Sequence, residues 1–226
     1  MTTEAIGLLI NLPLQRVMPA RLGETDIAVW RSASGQLSAW HNRCPHRGMR
    51  LSHGFVRGES LACSYHGWQY DKSGACNYVP AHPDMAPPAN VKTTAYAVAE
   101  QAGVLWVSSG PAPEMLDLPA DLIPIRSMSF SCSIDNVTNA FLDCSAEIEL
   151  GKGPTSQFDS KHLVYLHLSS TTIDHNVHVL IQPSETKMQI VHLLGSRDWS
   201  SNQLVGLINW SESVRRCAEA FELRGQ

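Results

Sequence analysis

The sequence predicts an α+β fold in which an antiparallel all-β domain is followed by a smaller α+β domain with an antiparallel sheet and a C-terminal helix. In the first half, short apolar runs alternate with turn signals, and helical periodicity is absent. The runs TDIAVW and QLSAW, for example, flank the turn SASG at residues 32–35. Near the C-terminus, Val214, Cys217, Ala218 and Phe221 recur at the spacing of one helix face. The strand-and-turn pattern of the first half and the helical spacing near the C-terminus together predict the α+β fold class.

A group of prolines separates the two halves of the chain. The stretch GPAPEMLDLPADLIP contains four of them within residues 110–124. This composition is typical of a linker or an extended crossing. We therefore predict a first domain at residues 1–110, a linker at 111–124 and a second domain at 125–226.

The second domain is expected to combine strands with two helices. Alternating apolar residues predict the strands, and the i, i+3, i+4 spacing predicts the last helix. Asn209 or Ser211 is expected to cap that helix. The predicted elements are strands at 129–134, 178–183 and 186–194, a short helix at 136–144 and a helix over about 210–224.

The overall composition excludes several classes of partner. The chain has 226 residues, 43% of them hydrophobic, which is enough for one large or two small cores. Its net charge of −4 argues against nucleic acid or an anionic membrane as the main partner. The apolar stretch AIGLLINLPLQRV is short, is interrupted by Pro13 and follows no basic residue. It predicts neither a signal peptide nor a membrane span.

Six cysteines are present, and only Cys44 and Cys63 have histidines at ligand spacing. The other four show no paired spacing, so a disulfide framework is not expected. Unpaired thiols fit a reducing cytoplasm better than a secreted location.

The sequence around these two cysteines predicts a metal centre. Cys44-x-His46 is followed by sixteen residues and then by Cys63-x-x-His66. Zinc fingers usually pair like ligands with like, whereas each pair here is mixed. Mixed pairs suit a [2Fe–2S] centre in which two histidines replace two cysteines on one iron. A Cys₂His₂ zinc ribbon is the alternative.

A family resemblance rests on the same residues. CPHRGMRLSHG followed by CSYHGWQYDKSGAC resembles the Rieske domain of the Rieske non-haem iron oxygenases, over about residues 20–110. The resemblance implies that Cys44 and Cys63 bind one iron and that His46 and His66 bind the other. Four neighbours at matching positions are expected around the cluster: Arg47, Gly48, Gly67 and Trp68. Because glycine has no Cβ, the amides of Gly48 and Gly67 can approach the cluster sulfurs closely.

Members of this family carry a second, mononuclear iron held by Asp-x-x-His-x-x-x-x-His and a later carboxylate. One alignment matches Asn139 to Ser145 to the lead-in and puts Ala146 and Gly151 where the histidines belong. The other matches Asp159, His162 and His167 letter for letter. Both alignments stay open.

Three observations weigh against an intact second iron site. LVYLHLSST reads as a β-strand, on which His162 and His167 would point to opposite faces. Cys217 stands where the resemblance expects the carboxylate on the last helix. The second half is also short for the family, as if a block that carried the histidine pair were missing after Ser145.

The resemblance implies an oxidoreductase of the mono- or dioxygenase type. Its cluster takes electrons from a reductase or ferredoxin and passes them to the mononuclear Fe(II), where O₂ oxidises a small organic substrate. A homotrimer is implied, in which Asp143 or Asp159 bridges the two metal centres. The alternative is an electron carrier or degenerate subunit that has lost the mononuclear iron.

Overall fold

The computed structural model of the chain describes residues 2–144, 156–160, 163–169, 176–182 and 188–224. The fold is α+β, as predicted. Within these residues the two helices are α1 (Ile134–Asp143) and α2 (Ser201–Arg224), and short 3₁₀ turns lie at Leu9–Asn11 and Leu51–His53. The strands are β1 (Thr3–Leu8), β2 (Arg16–Leu22), β3 (Thr25–Arg31), β4 (Leu37–His41), β5 (Phe55–Arg57), β6 (Ser60–Ala62), β7 (Gln69–Asp71), β8 (Cys76–Tyr78), β9 (Ala95–Gln101), β10 (Val104–Ser108), β11 (Leu122–Phe130), β12 (Ser156–Ser160), β13 (Leu163–Ser169), β14 (Asn176–Gln182) and β15 (Gln189–Ser196).

The chain divides into two compact units. The first contains residues 1–101 and 105–116, and the second contains residues 102–104 and 117–226. The predicted linker at 111–124 stays a prediction. Its last proline, Pro124, lies within β11, the edge strand of a sheet and next to an irregularity in the pairing. A proline is tolerated there because an edge strand does not need every N–H.

The six-stranded sheet of the first unit has two buried faces. Its strand order is β1-β10-β9-β4-β3-β2. Alternation along β3 sends Ile27 and Val29 to one core cluster and Ala28 and Trp30 to the other. All four side chains are fully buried. Burying a side chain of valine or isoleucine size contributes about 1.5–3 kcal/mol, so both faces stabilise the sheet.

A four-stranded antiparallel sheet of order β5-β6-β7-β8 carries the candidate metal centre. Its inner face supplies Val56, Leu61 and Tyr70 to the cluster that contains Trp30. The two cysteine–histidine segments leave this sheet at the same end. One segment runs from β4 to β5, and the other runs from β6 to β7. The sheet therefore brings together two segments that are far apart in sequence.

In the second unit, a five-stranded antiparallel sheet of order β11-β15-β14-β13-β12 packs against α1 and α2. Phe130 of the sheet, Phe141 of α1 and Trp210 of α2 meet with ring centroids 5.6–5.9 Å apart. The indole N–H of Trp210 donates to the carbonyl of Cys144, at 2.7 Å. This bond ties the end of α1 to the middle of α2.

Several boundaries in the second unit differ from the prediction. Strand β11 already begins at Leu122, seven residues before the predicted strand, and the ends of α1, β14 and β15 differ by one to three residues. The strand expected at 129–134 ends at Phe130, because the Ser133 hydroxyl accepts from the Asn136 amide and starts α1 there. Helix α2 begins well before residue 210. Ser200 and Gln203 form a reciprocal capping box at its start, with Ser200 N to Gln203 Oε1 at 2.7 Å.

The predicted caps Asn209 and Ser211 are therefore wrong, since both lie inside α2. The apolar positions Leu207, Trp210 and Val214 continue the helical spacing toward the N-terminus and bury the added turns. Within the described residues, no helix is long and apolar enough to span a membrane.

Candidate metal centre

Two loops with the same hydrogen-bond pattern hold the candidate ligands. In the first ligand loop (residues 44–49), the Gly48 amide donates to the carbonyl of Cys44 at 2.8 Å, and the Cys44 amide donates to Met49 O at 2.8 Å. In the second ligand loop (residues 63–68), Gly67 donates to Cys63 O at 3.0 Å and Cys63 donates to Trp68 O at 2.9 Å. Each loop is thus closed by its own backbone, four and five residues after the cysteine.

Glycine is required where each loop closes. Gly48 and Gly67 have φ values of +72° and +71°, in the left-handed region that other residues rarely adopt. Their amides are used for loop closure, which differs from the expectation that they approach the sulfurs. The amides that hydrogen-bond to the Cys63 sulfur are those of Tyr65 and His66.

The four candidate ligands form two pairs of like side chains. The Cys44 and Cys63 thiols are in hydrogen-bond contact and are both almost fully buried. The His46 and His66 rings meet edge to face with centroids 4.7 Å apart. Each loop contributes one member to each pair, because its cysteine points inward and its histidine lies toward the surface.

The thiol pair is buried among apolar side chains, and one polar side chain, Tyr70, contacts it. Burial raises the pKa of the Cys63 thiol, and the adjacent Cys44 raises it further. Tyr70 Oη lies 3.0 Å from Cys44 Sγ, in hydrogen-bond contact, and burial also raises the pKa of Tyr70. Two buried thiols side by side become thiolates when a cation replaces their protons, which is the environment of a metal ligand pair.

The imidazole pair is positioned by aromatic neighbours. Trp68 stacks on His46 with centroids 4.2 Å apart and planes 7° from parallel. Tyr65 lies against His66 at 3.9 Å. Burial, His66 and Arg47 lower the pKa of His46, which favours the neutral imidazole that binds metals. Trp68 therefore both packs against the core and orients a candidate ligand.

Separate thiol and imidazole pairs suit two irons better than one zinc ion. A single zinc ion takes all of its ligands around one point, whereas these four side chains meet as thiol with thiol and imidazole with imidazole. In a mixed [2Fe–2S] cluster, each iron takes two protein ligands, and the bridging sulfides complete its coordination. The donor set and its pairing fit that cluster.

Comparison with known proteins supports this interpretation. The family model of the Rieske [2Fe-2S] domain matches residues 9–99. The oxygenase subunit of 3-chlorobenzoate-3,4-dioxygenase from Comamonas testosteroni is 33% identical over 158 residues, which cover 68% of this chain and 35% of that protein. This chain contains a Rieske [2Fe–2S] domain. Oxidoreductase NdmD from Pseudomonas putida is 43% identical to this Rieske protein over 104 residues, 46% of this chain and 18% of NdmD. The chain spans about a third or less of the length of these curated relatives.

Solved structures of Rieske oxygenases have the same fold. NdmA from Pseudomonas putida CBB5 superposes with a TM-score of 0.73 at 18% identity and covers 96% of this chain and 80% of its own. Dicamba monooxygenase bound to dicamba gives 0.71 at 17% identity, with 98% and 87% coverage. At these identities the likeness concerns the fold, and it extends over both units of the Rieske protein.

The residues predicted for a second iron are not assembled in the described part of this Rieske protein. His162 lies outside the described residues. His167 lies on β13, where its Nε2 is 3.2 Å from Asn176 Oδ1. Asp159 lies on β12, paired with Val164, and Asp143 is exposed at the end of α1. The ligands of the mononuclear iron stay a prediction.

The structure reveals polar contacts in the sheet that the sequence did not indicate. His167 and His178 are directly opposite each other on β13 and β14 and stack at 4.4 Å. Tyr165 Oη is 2.6 Å from Nδ1 of the buried His178. Burial and the neighbouring His167 lower the pKa of His178 to about 4, although Asp121 acts in the opposite direction. His178 is therefore neutral in the folded protein.

We expect His178→Gln to make the protein less sensitive to acid. Between pH 6.5 and about 4, the unfolded chain binds a proton at His178 and the folded chain does not, so stability falls as the pH falls through this window. The loss is about 2 kcal/mol at pH 5. Urea unfolding followed by tryptophan fluorescence at pH 7.5 and pH 5 measures it. Between pH 7.5 and pH 5, His178→Gln should lose less stability than the wild type. The control His53→Gln, in which an exposed histidine is replaced, should lose as much stability as the wild type. An equal acid loss in His178→Gln would contradict the assignment.

Proposed function

We propose that this chain is the electron-accepting part of a Rieske non-haem iron oxygenase, an oxidoreductase of the mono- or dioxygenase type. Cys44 and Cys63 hold one iron of a [2Fe–2S] cluster, and His46 and His66 hold the other. The observation that carries the proposal is the pairing of thiol with thiol and imidazole with imidazole inside a Rieske domain. When bound, such a cluster accepts and donates one electron at a time.

The surrounding residues have separable tasks in this proposal. Tyr70 donates a hydrogen bond to the Cys44 sulfur and stabilises negative charge on it. Trp68 fixes the orientation of His46. His66 is exposed at the surface, and its ring is therefore the side from which an electron leaves toward an acceptor. The electron donor is a reductase or ferredoxin in the same cytoplasm.

The oxygenase proposal also includes a mononuclear iron, O₂ and a small organic substrate. His162 and His167 are its proposed iron ligands, and Asp143 or Asp159 is the proposed bridge between the two metal centres. A bridge between neighbouring subunits would require a homotrimer. The named activities of the relatives, such as 3-chlorobenzoate-3,4-dioxygenase, support the class of reaction and leave the substrate of this chain open.

A second candidate is an electron carrier or degenerate subunit without the mononuclear iron. The carboxylates of α2 favour it, because they are used in structural contacts. Glu222 accepts from the Ser133 amide at 3.1 Å and from the Asn136 side chain at 3.0 Å, and Glu219 accepts from the Ser131 amide at 3.0 Å. Cys217 occupies the position where the family resemblance expects an iron-binding carboxylate.

Iron and acid-labile sulfide, counted per chain after anaerobic purification, separate the two candidates. Two irons with two sulfides support the carrier, and a third iron without further sulfide supports the oxygenase. His162→Ala should then remove about one iron and no sulfide. A third iron that persists unchanged in this variant would contradict the ligand assignment, and zinc without visible absorption would contradict both candidates.

A further inference from the structure

The outer face of the four-stranded sheet presents a row of side chains next to the second ligand loop. Pairing across the sheet places Phe55 opposite Ala62, Ala62 opposite Gln69, and Gln69 opposite Tyr78. Phe55 and Tyr78 are exposed by 60% and 36%. The small Ala62 lies between larger neighbours, so the row has a depression in its middle. We call these four residues the outer row.

The depression is the bottom of a cavity of about 330 Å³ that reaches the thiol side of the centre. Besides the outer row, its lining includes Cys63, Ser64 and Gly67 of the second ligand loop and Arg57 at the rim. Neither candidate imidazole lines it. A partner seated here would approach the iron held by the thiolates, while the surface at His66 stays open for the departing electron.

One basic side chain, Arg57, lines this cavity, and the segment that leads to it is rich in arginine. Residues 27–58 contain five arginines and no aspartate or glutamate. Arg50 is paired with Asp26 at 3.0 Å, whereas Arg47 and Arg57 form no ion pair with any carboxylate in the described part of the chain. Two acidic residues lie near Arg57: Glu59 follows it by two residues, and Asp71 lies in the same cross-strand row, beyond Ser60. Their carboxylates are hydrogen-bonded to Ser34 at 2.8 Å and to Ser73 at 2.6 Å.

We propose that this face docks a protein electron donor that presents carboxylates around an exposed apolar side chain. The apolar side chain enters the cavity between Phe55 and Tyr78, and a carboxylate pairs with Arg57. Exposed aromatic and arginine side chains around a pocket are the usual anchors of protein interfaces. The reduced donor loses one electron, the cluster of this chain gains it, and no bond is formed or broken. This inference rests on the proposed function, since it assumes a reducible cluster.

The test is the rate at which a photoreduced, acidic plant-type [2Fe–2S] ferredoxin reduces the cluster, followed by stopped-flow absorbance at low and high salt. Arg57→Glu should lower the second-order rate constant about 10-fold at low salt and flatten its salt dependence. Phe55→Ser should lower it about fivefold at either salt. Both side chains are exposed, so both variants are expected to fold and bind iron.

Arg16→Glu is the matched control, because it changes the net charge equally. Arg16 is exposed on β2 and does not line the cavity. Met18 and Ala20, on the same side of β2, pack against the cluster that contains Ile27 and Val29, not against the cluster that contains Cys63. It should change the rate less than twofold, and reduction of all variants by an uncharged photoreduced deazaflavin should equal that of the wild type. The proposal is overturned if Arg57→Glu reacts like the wild type, or if Arg16→Glu is slowed as much. A wild-type chain without a reducible cluster would instead overturn the proposed function.

Discussion

A His66→Ala chain is expected to fold and to lose its iron–sulfur cluster. The substitution leaves His46 as the lone protein ligand of one iron, and one imidazole does not hold an iron whose other contacts are the bridging sulfides. The second ligand loop should persist, because its closure depends on the backbone bonds from Gly67 to Cys63 and from Cys63 to Trp68. Visible absorption and iron and sulfide content should fall to near zero, while the far-ultraviolet circular dichroism is retained.

The matched control for this substitution is His53→Ala. His53 is an exposed histidine in the 3₁₀ turn that follows the first ligand loop, and no candidate ligand contacts it in the described structure. Its removal should leave iron, sulfide and spectrum unchanged. A full spectrum in His66→Ala, or equal loss in both variants, would contradict the ligand assignment.

Gly54→Ala is expected to destabilise the first unit by about 3 kcal/mol. A Cβ at residue 54 would lie 2.4 Å from the carbonyl oxygen of Ala62 and 2.9 Å from that of Leu51. Both atoms belong to the backbone, so no side chain can move aside. Ala62 immediately precedes Cys63, and displacing it disturbs the second ligand loop. The variant should therefore also lose iron. Urea unfolding of the iron-bound and iron-free chains measures both effects.

Gly58→Ala separates this steric effect from backbone strain. Gly58 has a φ of +59° and no atom within 4 Å of its added Cβ, so alanine there should cost only about 1 kcal/mol. It lies in the turn between β5 and β6, away from both ligand loops, and iron content should not change. If Gly54→Ala lowers the free energy of unfolding no more than Gly58→Ala does, the close backbone contact at Gly54 is not the reason that glycine is needed there.

The fold class was predictable because the first unit shows only strand and turn signals, whereas the second combines strand alternation with one helical spacing. The apolar runs TDIAVW and QLSAW on either side of the turn SASG identified β3 and β4, and the apolar spacing from Val214 to Phe221 identified the end of α2. The beginning of α2 was missed because its capping residues, Ser200 and Gln203, lie ahead of the strongest part of that spacing. Helix caps act over one turn, so their signal is weaker than that of a buried face.

The candidate ligands were predictable because each cysteine–histidine pair lies within one short loop. Within such a loop the separation along the sequence determines how far apart the two side chains can lie. The two loops are also closed by the same pattern of backbone hydrogen bonds. Contacts between residues that are far apart in sequence have no comparable spacing pattern, so they could not be predicted. Tyr70 reaches Cys44 from 26 residues away, and His178 meets Tyr165 across two paired strands. The sequence predicted Trp68 as a neighbour of the centre, and in the structure it stacks on His46. It gave no indication of Tyr70.

The most direct test of the two-thiolate, two-imidazole cluster is pulsed electron paramagnetic resonance of the reduced, iron-loaded chain. Two strongly coupled ¹⁴N nuclei are expected, one from His46 and one from His66, on a reduced two-iron centre. Labelling the histidines with ¹⁵N should replace both ¹⁴N couplings by ¹⁵N couplings. A reduced cluster without nitrogen coupling would mean four thiolate ligands, and a silent sample that contains zinc would mean a zinc ribbon. Either result would contradict the account given for residues 44–68.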